Sequence, residues 1–498
     1  MTVSLKNSII LLVSKREGEK GNMKANYKKI LLITVLISIC FTIPSIIFFI
    51  NNKSIIKFTG DLEYKFLLTN SIDTLFQTLI YIILIIAFIT CYYLIIKNRN
   101  KLFKDIKQIF KYILIISAIF IFVVPFWCSD VFYYLGIGRL ASKYNQNPYY
   151  VDIKSYVDNN NIEIGNDTVM QKGYENYWSN TTVVYGAAWS IICSVISALS
   201  FGSINVGLLI FKIINLIVHM GNCYLLYKIT KKKIFPLIYG INPFILIEGI
   251  ANVHNDLFVV FFMLLALYEV YKNKKLILGI LALAISTDIK YFSIILLPFL
   301  IIYHFKEKNI KTRTIKCIEY GLLFLFFAAI PYLLYIKDFQ VFMGLVSQRE
   351  RLAKGLYLFI AEYFNKPKNI VSIIKNASLL LFTILYAAAC FMLLKSKKIE
   401  LYKNMRILYY FMLAFLFLLI TNFQAWYFMW LVPFMIWQKS ENIKLIVQMQ
   451  LMILIANTVF LIYSENYKFG VPFFAIFVFG TLICVIQNKN QIIRRLQK

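Results

Sequence analysis

Asp130 follows a long apolar run, where a membrane-bound active site would need a carboxylate. From Ile119 to Tyr150 the chain reads IFIFVVPFWCSDVFYYLGIGRLASKYNQNPYY. It is apolar up to Cys128. Then come Ser129 and Asp130, and an aromatic, basic stretch that carries Tyr134 and Arg139 and ends in Asn147-Pro148-Tyr149. A carboxylate at the lip of a membrane, followed by a guanidinium and a belt of tyrosines, points to chemistry on a lipid-linked substrate. A local reading stands beside it. Ser129 or Asp130 would cap a short interfacial helix such as Val131–Tyr144, and capping does not exclude catalysis.

Four further clusters fall at span ends or in loops assigned to the same side. Asn252-Val253-His254-Asn255-Asp256 is dense in polar groups for a tight turn. It reads either as a turn with an Asp cap or as part of a site. Glu248 lies inside the preceding apolar run, and an ionisable group at depth costs about 2.5–3.5 kcal/mol on insertion scales, so it needs a partner or a wet cavity. Asp288-Ile289-Lys290-Tyr291 is either a self-neutralising ion pair at a hairpin tip or the source of a phosphate ligand, Lys290. Arg349 and Arg351 in SQRERLAKG are a solvated charge run or a pair of bidentate phosphate ligands. Asn422-Phe423-Gln424-Ala425-Trp426-Tyr427 has the aromatics of a membrane interface, but its amides are what sugar hydroxyls need. Gly136-Ile137-Gly138 is not a dinucleotide fingerprint, since no strand precedes it and the third glycine is missing.

One carboxylate, several cations and an amide–aromatic patch fit transfer of a sugar from a polyprenyl phosphate. The leaving group is a good one and needs charge stabilisation instead of a general acid. A glycosidase needs two carboxylates. Here Asp130 alone would act as base toward the acceptor hydroxyl. Arg139, Lys290, Arg349 and Arg351 are the candidates for the phosphate. Tyr134, Tyr149, Glu248, His254, Asn255, Asp256, Gln424, Trp426 and Tyr427 are the candidates for sugar and acceptor. No cofactor and no metal are expected; a divalent ion shared by Asp130 and Asp256 is the alternative. The eight cysteines are scattered singly, with no CxxC and no Cys/His cluster.

The elements that must position these residues are membrane helices. Hydrophobic residues make up 60% of the chain and mean hydropathy is +0.69, which excludes a soluble domain. The net charge of +29 does not signal nucleic acid. Lys and Arg concentrate between apolar spans, at Lys97–Lys111, Lys228–Lys233, Lys272–Lys275, Lys306–Lys316, Lys395–Arg406 and Lys489–Lys498, as positive-inside loops do. Spans are expected at 29–50, 72–96, 111–128, 204–227, 234–251, 256–271, 275–287, 290–305, 315–336, 373–394, 405–421, 425–438, 443–463 and 470–487, about 14 crossings of an all-α polytopic protein. The run 183–201 is expected to be re-entrant or to lie against the outer face. The short 275–287 is expected to pair with 290–305 as a hairpin. Residues 1–28 would form a basic cytoplasmic segment, with the next apolar run a signal anchor. Residues 29–498 would form one integral domain in the plasma membrane of an AT-rich bacterium. Both termini would then be cytoplasmic, with a catalytic outer loop at 129–182 and a second at 337–372.

The residues themselves resemble a known family. Ser129-Asp130-Val-Phe-Tyr-Tyr-Leu-Gly-Ile-Gly-Arg139 through Asn147-Pro148-Tyr149 is similar to the polyprenyl-phosphate-sugar-dependent glycosyltransferases of the GT-C fold. So are, in family order, Val184-Tyr185-Gly186 with Trp189, Asn242-Pro243 through Glu248-Gly249, Asn252–Asp256, Lys290-Tyr291 and Phe423–Tyr427. The closest likeness is to bacterial polyprenol-phosphomannose-dependent α-mannosyltransferases. The resemblance implies a GT-C-like helical bundle, Asp130 as the catalytic acidic residue, and inverting transfer of a hexose, mannose first, to a cell-envelope glycolipid or glycan on the outer face. Two departures stand out: two extra spans precede the Asp130 loop, and Val253 sits where a small residue is expected. A flippase or transporter of lipid-linked sugars is the competing reading, but it would place polar groups near the midplane and commonly show inverted repeats. A polymerase of lipid-linked saccharides, with its own Arg- and His-rich outer loop, is the other.

Overall fold

The computed structural model describes residues 28–52, 71–125, 128–352, 356–364, 367–440, 443–444, 446–452 and 454. Among them the regular structure is helical, with no β-strand. In chain order the helices that matter for the site are Lys28–Ile47 (α1) and Leu79–Leu102 (α2), then Asp130–Ser142 (α3) and Ala187–Leu199 (α4). Ile204–Thr230 (α5), Asp256–Tyr268 (α6) and Leu276–Ile289 (α7) follow. Ile310–Leu334 (α8), Asn369–Lys395 (α9) and Leu401–Leu418 (α10) complete the set.

Among the described residues six helices are long and apolar enough to cross a bilayer: α1, α2, α5, α8, α9 and α10. The pair Ile234–Gly240 and Pro243–Ala251, bent by 49°, makes a seventh path if taken as one span. The expected count of 14 is therefore not supported. An apolar segment is not the same thing as a lipid-facing one. α6 and α7 are 13 and 14 residues long, too short at 1.5 Å per residue for a core of about 30 Å. Their side chains fill the protein interior: Leu257, Val259, Val260, Met263 and Leu264 are fully buried. By contrast only 11% of the apolar window of α8 and 17% of that of α9 is buried, which leaves most of both helices for lipid. The expected hairpin forms from α7 and the helical run Tyr291–His304. The run 183–201 holds the 13-residue α4, packed along α3. The span expected at 111–128 breaks early, with a helix Ile106–Ile119, one 3-10 turn and an extended Val123. The span expected at 470–487 lies outside the described residues, as do residues 1–27 and most of 443–463.

The ends of the bundle separate by chemistry. At one end Lys233 donates to the Lys104 carbonyl, Lys274 lies over the Tyr303 ring, and Arg313 donates to the carbonyls of Lys306, Leu394 and Ser396. The basic segments thus gather at the C-terminal end of α5. At its N-terminal end Ile204 N–H donates to Thr168, so the 129–182 loop sits there. The second loop joins it: Asn147 donates to the Tyr335 carbonyl at 2.6 Å, and the N–H groups of Lys337 and Asp338 donate to the Tyr150 hydroxyl.

α3 lies unusually close to its neighbours. A Cβ on Gly136 would sit 2.7 Å from the Gly173 Cα, and one on Gly138 would run into the Cys193 carbonyl. The two glycines that mimic a nucleotide motif are there for helix packing.

Candidate active site

Two interruptions of helix build the site. The first is the extended passage through Val123, after which α3 begins at Asp130 with Ser129 as its N-cap residue. Ser129 makes no side-chain cap bond. Asp130 stands in the first helical turn, near the positive end of the helix dipole, and accepts a hydrogen bond from the Tyr134 hydroxyl at 3.4 Å. The second interruption follows Asn242, whose side chain caps the short helix Pro243–Ile245 by accepting from the Phe244 N–H. A π-helix, Leu246–Ala251, comes next, then a turn in which Val253 takes a φ of +61°. A β-branched residue in the left-handed region is strained, and such strain collects at functional sites. The resemblance leads to a small residue being expected at this position.

The carbonyls released by these breaks need donors inside the protein. α5 supplies them from one face. Lys212 donates to the carbonyls of Val123 (2.5 Å) and Ala251 (2.7 Å). Asn215 donates to that of Gly249 (2.6 Å), His219 lies 3.0 Å from that of Gly240, and Asn222 donates to that of Leu257 (3.1 Å). Lys212 thus ties the segment leading to Asp130 to the segment leading to His254.

The turn delivers His254 between two carboxylates. Its Nε2 lies 3.2 Å from Glu248 Oε2 and its Nδ1 3.9 Å from Asp130 Oδ2. The ring stacks on Trp426 with centroids 3.8 Å apart. Asn252 donates to the same Glu248 oxygen at 3.0 Å. Glu248 and His254 are fully buried, whereas the Asp130 side chain keeps 12% of its surface. Asp256, also buried, is held by Lys290 at 2.8 Å from both carboxylate oxygens and by the Trp430 indole N–H. Lys290 in turn lies over the rings of Tyr427 (4.7 Å) and Trp430 (5.4 Å). The tip ion pair between Asp288 and Lys290 does not form: Lys290 goes to Asp256, and Asp288 Oδ2 has no hydrogen-bond partner.

A cavity of about 510 Å³ opens above this layer, lined by Asp130, Lys290, Arg349, Gln424, Trp426 and Tyr427 among others. Asp130 is the one carboxylate among the described lining residues. Glu248, His254 and Asp256 sit behind the wall. Tyr134 is buried beside Asp130, edge-on to Tyr185 and Trp189. Tyr149 does not reach the cavity; its hydroxyl donates to the Tyr185 carbonyl at 3.0 Å and so positions a lining residue. Asn255 is buried, and its side-chain amide has no hydrogen-bond partner. Arg351 lies over the Trp178 ring at 4.9 Å, next to the cavity.

Arg139 is not brought to the site. It is nine residues along α3 from Asp130 and forms a 2.7 Å ion pair with Asp167, which Lys143 joins at 2.9 Å. Burial works to raise the Asp167 carboxyl, but hydrogen bonds from Arg139, Lys143 and the Met170 N–H outweigh it and hold the group below its ordinary range. The expected alternative of a metal between Asp130 and Asp256 meets an Asp256 already held by Lys290 and Trp430.

Sequence reasoning missed Tyr133, Trp178 and Trp430. Trp430 lies four residues past Trp426, one helical turn on, and that spacing was the available signal. It also missed Cys128, a sequence neighbour of Asp130 whose sulfur folding brings near His254.

No curated protein and no solved structure matches the chain. The profile of a protein family, described as alpha-(1->6)-mannopyranosyltransferase, N-terminal domain, matches residues 54–306. That stretch contains Asp130, Glu248, His254, Asp256 and Lys290, and it covers just over half of the sequence. The chain belongs to this family of membrane mannosyltransferases and is a glycosyltransferase.

Proposed function

We propose that the protein transfers mannose from a polyprenyl phosphate to a hydroxyl of a cell-envelope glycolipid or glycan on the outer face of the plasma membrane, with inversion and with Asp130 as general base. The observation that carries this reading is the cavity's charge pattern: one described carboxylate, Asp130, faces Lys290 and Arg349. A double-displacement glycosidase would need a second carboxylate about 5–5.5 Å away. The acceptor O–H gives its proton to Asp130 as its oxygen bonds to the anomeric carbon. The bond from that carbon to the phosphate oxygen breaks, and its electron pair leaves with the phosphate. Lys290 and Arg349 meet the charge that develops there. His254 stands ready to take the proton on from Asp130, and the buried Glu248 stabilises the imidazolium so formed. Gln424 and Trp426 offer an amide and a ring face to the sugar. Positive-inside charge supports the side, because the cavity opens at the end opposite the basic segments.

The test uses purified protein in detergent, radiolabelled polyprenyl-phosphate mannose and a membrane lipid extract as acceptor. The glucose and galactose analogues run in parallel. Asp130→Asn keeps size and hydrogen bonding but removes basicity, so transfer should fall about 10²–10⁴-fold while donor binding persists. Undiminished transfer by that variant would end the assignment of the base, and faster transfer from another donor would change the sugar.

A further inference from the structure

Cys128 has no part in the transfer just described, yet its sulfur, an Asp130 carboxylate oxygen and a His254 ring nitrogen lie within 4.8 Å of one another. We propose that these three side chains bind a thiophilic divalent cation, Zn²⁺ in the first place, and that its occupancy switches the transferase off. Ligand atoms around a tetrahedral zinc, at about 2.0–2.3 Å from the ion, lie roughly 3.3–3.8 Å apart. The widest pair of the trio needs to contract by up to about 1–1.5 Å to meet that spacing.

His254 supplies the second, independent sign. It is fully buried, and neither ring nitrogen makes a hydrogen bond of good geometry. Glu248 lies against Nε2 at 3.2 Å, which favours the tautomer with its proton there. Nδ1 then presents a lone pair toward Asp130. A carboxylate behind a histidine, fixing its tautomer and raising its basicity, is the usual outer support of a metal-bound imidazole. Three protein ligands leave a fourth position on the cavity side, where Asp130 is exposed, and this is also the entry path. The thiolate selects Zn²⁺ over Mg²⁺ or Mn²⁺, which prefer all-oxygen sites. Binding releases the thiol proton, because the thiolate is the ligand. It also occupies the Asp130 oxygen, so the carboxylate no longer accepts the acceptor's proton. The inhibition rests on the base assignment above; the binding does not.

The experiment has two arms, both on the full chain in detergent. In the first, Zn²⁺ is titrated in a chelator-buffered series and the bound metal counted after gel filtration. Co²⁺ is then substituted and its thiolate charge-transfer absorption recorded. One ion per chain is expected, with the absorption present in the wild type and absent in Cys128→Ser. Glu248→Gln should weaken zinc binding about 10–100-fold, the usual effect of losing an outer-shell partner. In the second arm Zn²⁺ inhibits transfer. Cys128→Ser keeps basal transfer, and half-inhibition moves to more than about tenfold higher zinc, at least the effect of an outer-shell loss. Absence of the cobalt–thiolate absorption in the folded wild type, or zinc binding equal in wild type and Cys128→Ser, overturns the site. Tight binding with no inhibition keeps the site and overturns the switch. Absence of transfer from every donor touches the functional reading and leaves the first arm intact.

Discussion

Two of the three guanidiniums first grouped as phosphate ligands now separate by what they touch. Arg139 is 11% exposed and ion-paired with a carboxylate that is 3% exposed. Arg349 lines the cavity, and its side chain donates to the Asn376 amide oxygen instead of pairing with a carboxylate among the described residues. An uncompensated buried charge costs about 3–5 kcal/mol; Lys143 stays on Asp167, so Arg139→Ala should cost less than that, with little change in donor KM. Arg349→Ala should do the reverse, raising donor KM with an unchanged thermal midpoint. Thermal unfolding in detergent beside initial rates over a donor series checks both, and a donor KM raised by Arg139→Ala at unchanged stability would return that residue to the site. The Arg139–Asp167 pair also has a pH signature. Asp167 titrates below its ordinary 3.8 when folded, so its contribution is complete above that value and is lost as pH falls through the lowered one. Acid unfolding should therefore move to higher pH in Asp167→Asn. The stability of the two proteins should stay parallel between pH 5 and 8.

α5 shows how a helix that touches no substrate sets the geometry of one that does. Its buried residues Lys212, Asn215, His219 and Asn222 recur at spacings of three and four, which is one helical face. They answer the carbonyls freed by the π-helix and the turn, so helix and breaks have to be read together. Lys212→Met removes the donor shared by Val123 and Ala251, and each orphaned carbonyl costs about 1–3 kcal/mol. It also unties the Asp130 segment from the His254 segment. A displacement of about 1 Å at a reacting centre costs up to 10²-fold, so kcat should fall by roughly that factor while donor KM holds. Equal kcat at lowered stability would make Lys212 merely structural. This face was invisible in the sequence, where an apolar span with four polar residues reads simply as a span. The Asn252–Asp256 turn stood out because its polar groups are dense for a tight turn, although an Asp cap was the local alternative, and Asp130 because it ended an apolar run. The partners of these residues were not legible. Lys290 lies two residues from Asp288 in sequence and pairs with Asp256, because the hairpin folds it back over α6. The span count lacks support for a related reason: hydropathy measures distance from water, and a protein core and a lipid core are equally far from it.

At the scale of the whole molecule the placement of charge supports the proposed orientation, with the basic end toward the cytoplasm. The clusters at Lys228–Lys233, Lys272–Lys275, Lys306–Lys316 and Lys395–Arg406 come from four separate parts of the chain, yet the fold gathers them at one end. Short loops rich in Lys and Arg resist translocation, and an end made of four of them should resist it strongly. The cavity lies at the other end, against the loops 129–182 and 337–372. A lipid-phosphate donor would meet Lys290 and Arg349 there only if its headgroup stands in the outer leaflet. The expected topology can be read directly, in a background whose eight cysteines are replaced by serine. Ser155→Cys, exposed on the first loop, should react with a membrane-impermeant maleimide in intact cells. Lys232→Cys and Lys311→Cys, both exposed at the basic end, should react only after permeabilisation. The inverse pattern would open the cavity to the cytoplasm, give the donor's headgroup the wrong leaflet, and shift the reading toward an enzyme supplied from the cytoplasmic face. Labelling at all three positions in intact cells would mean that the basic end is not held inside, and the positive-inside argument would fail with it.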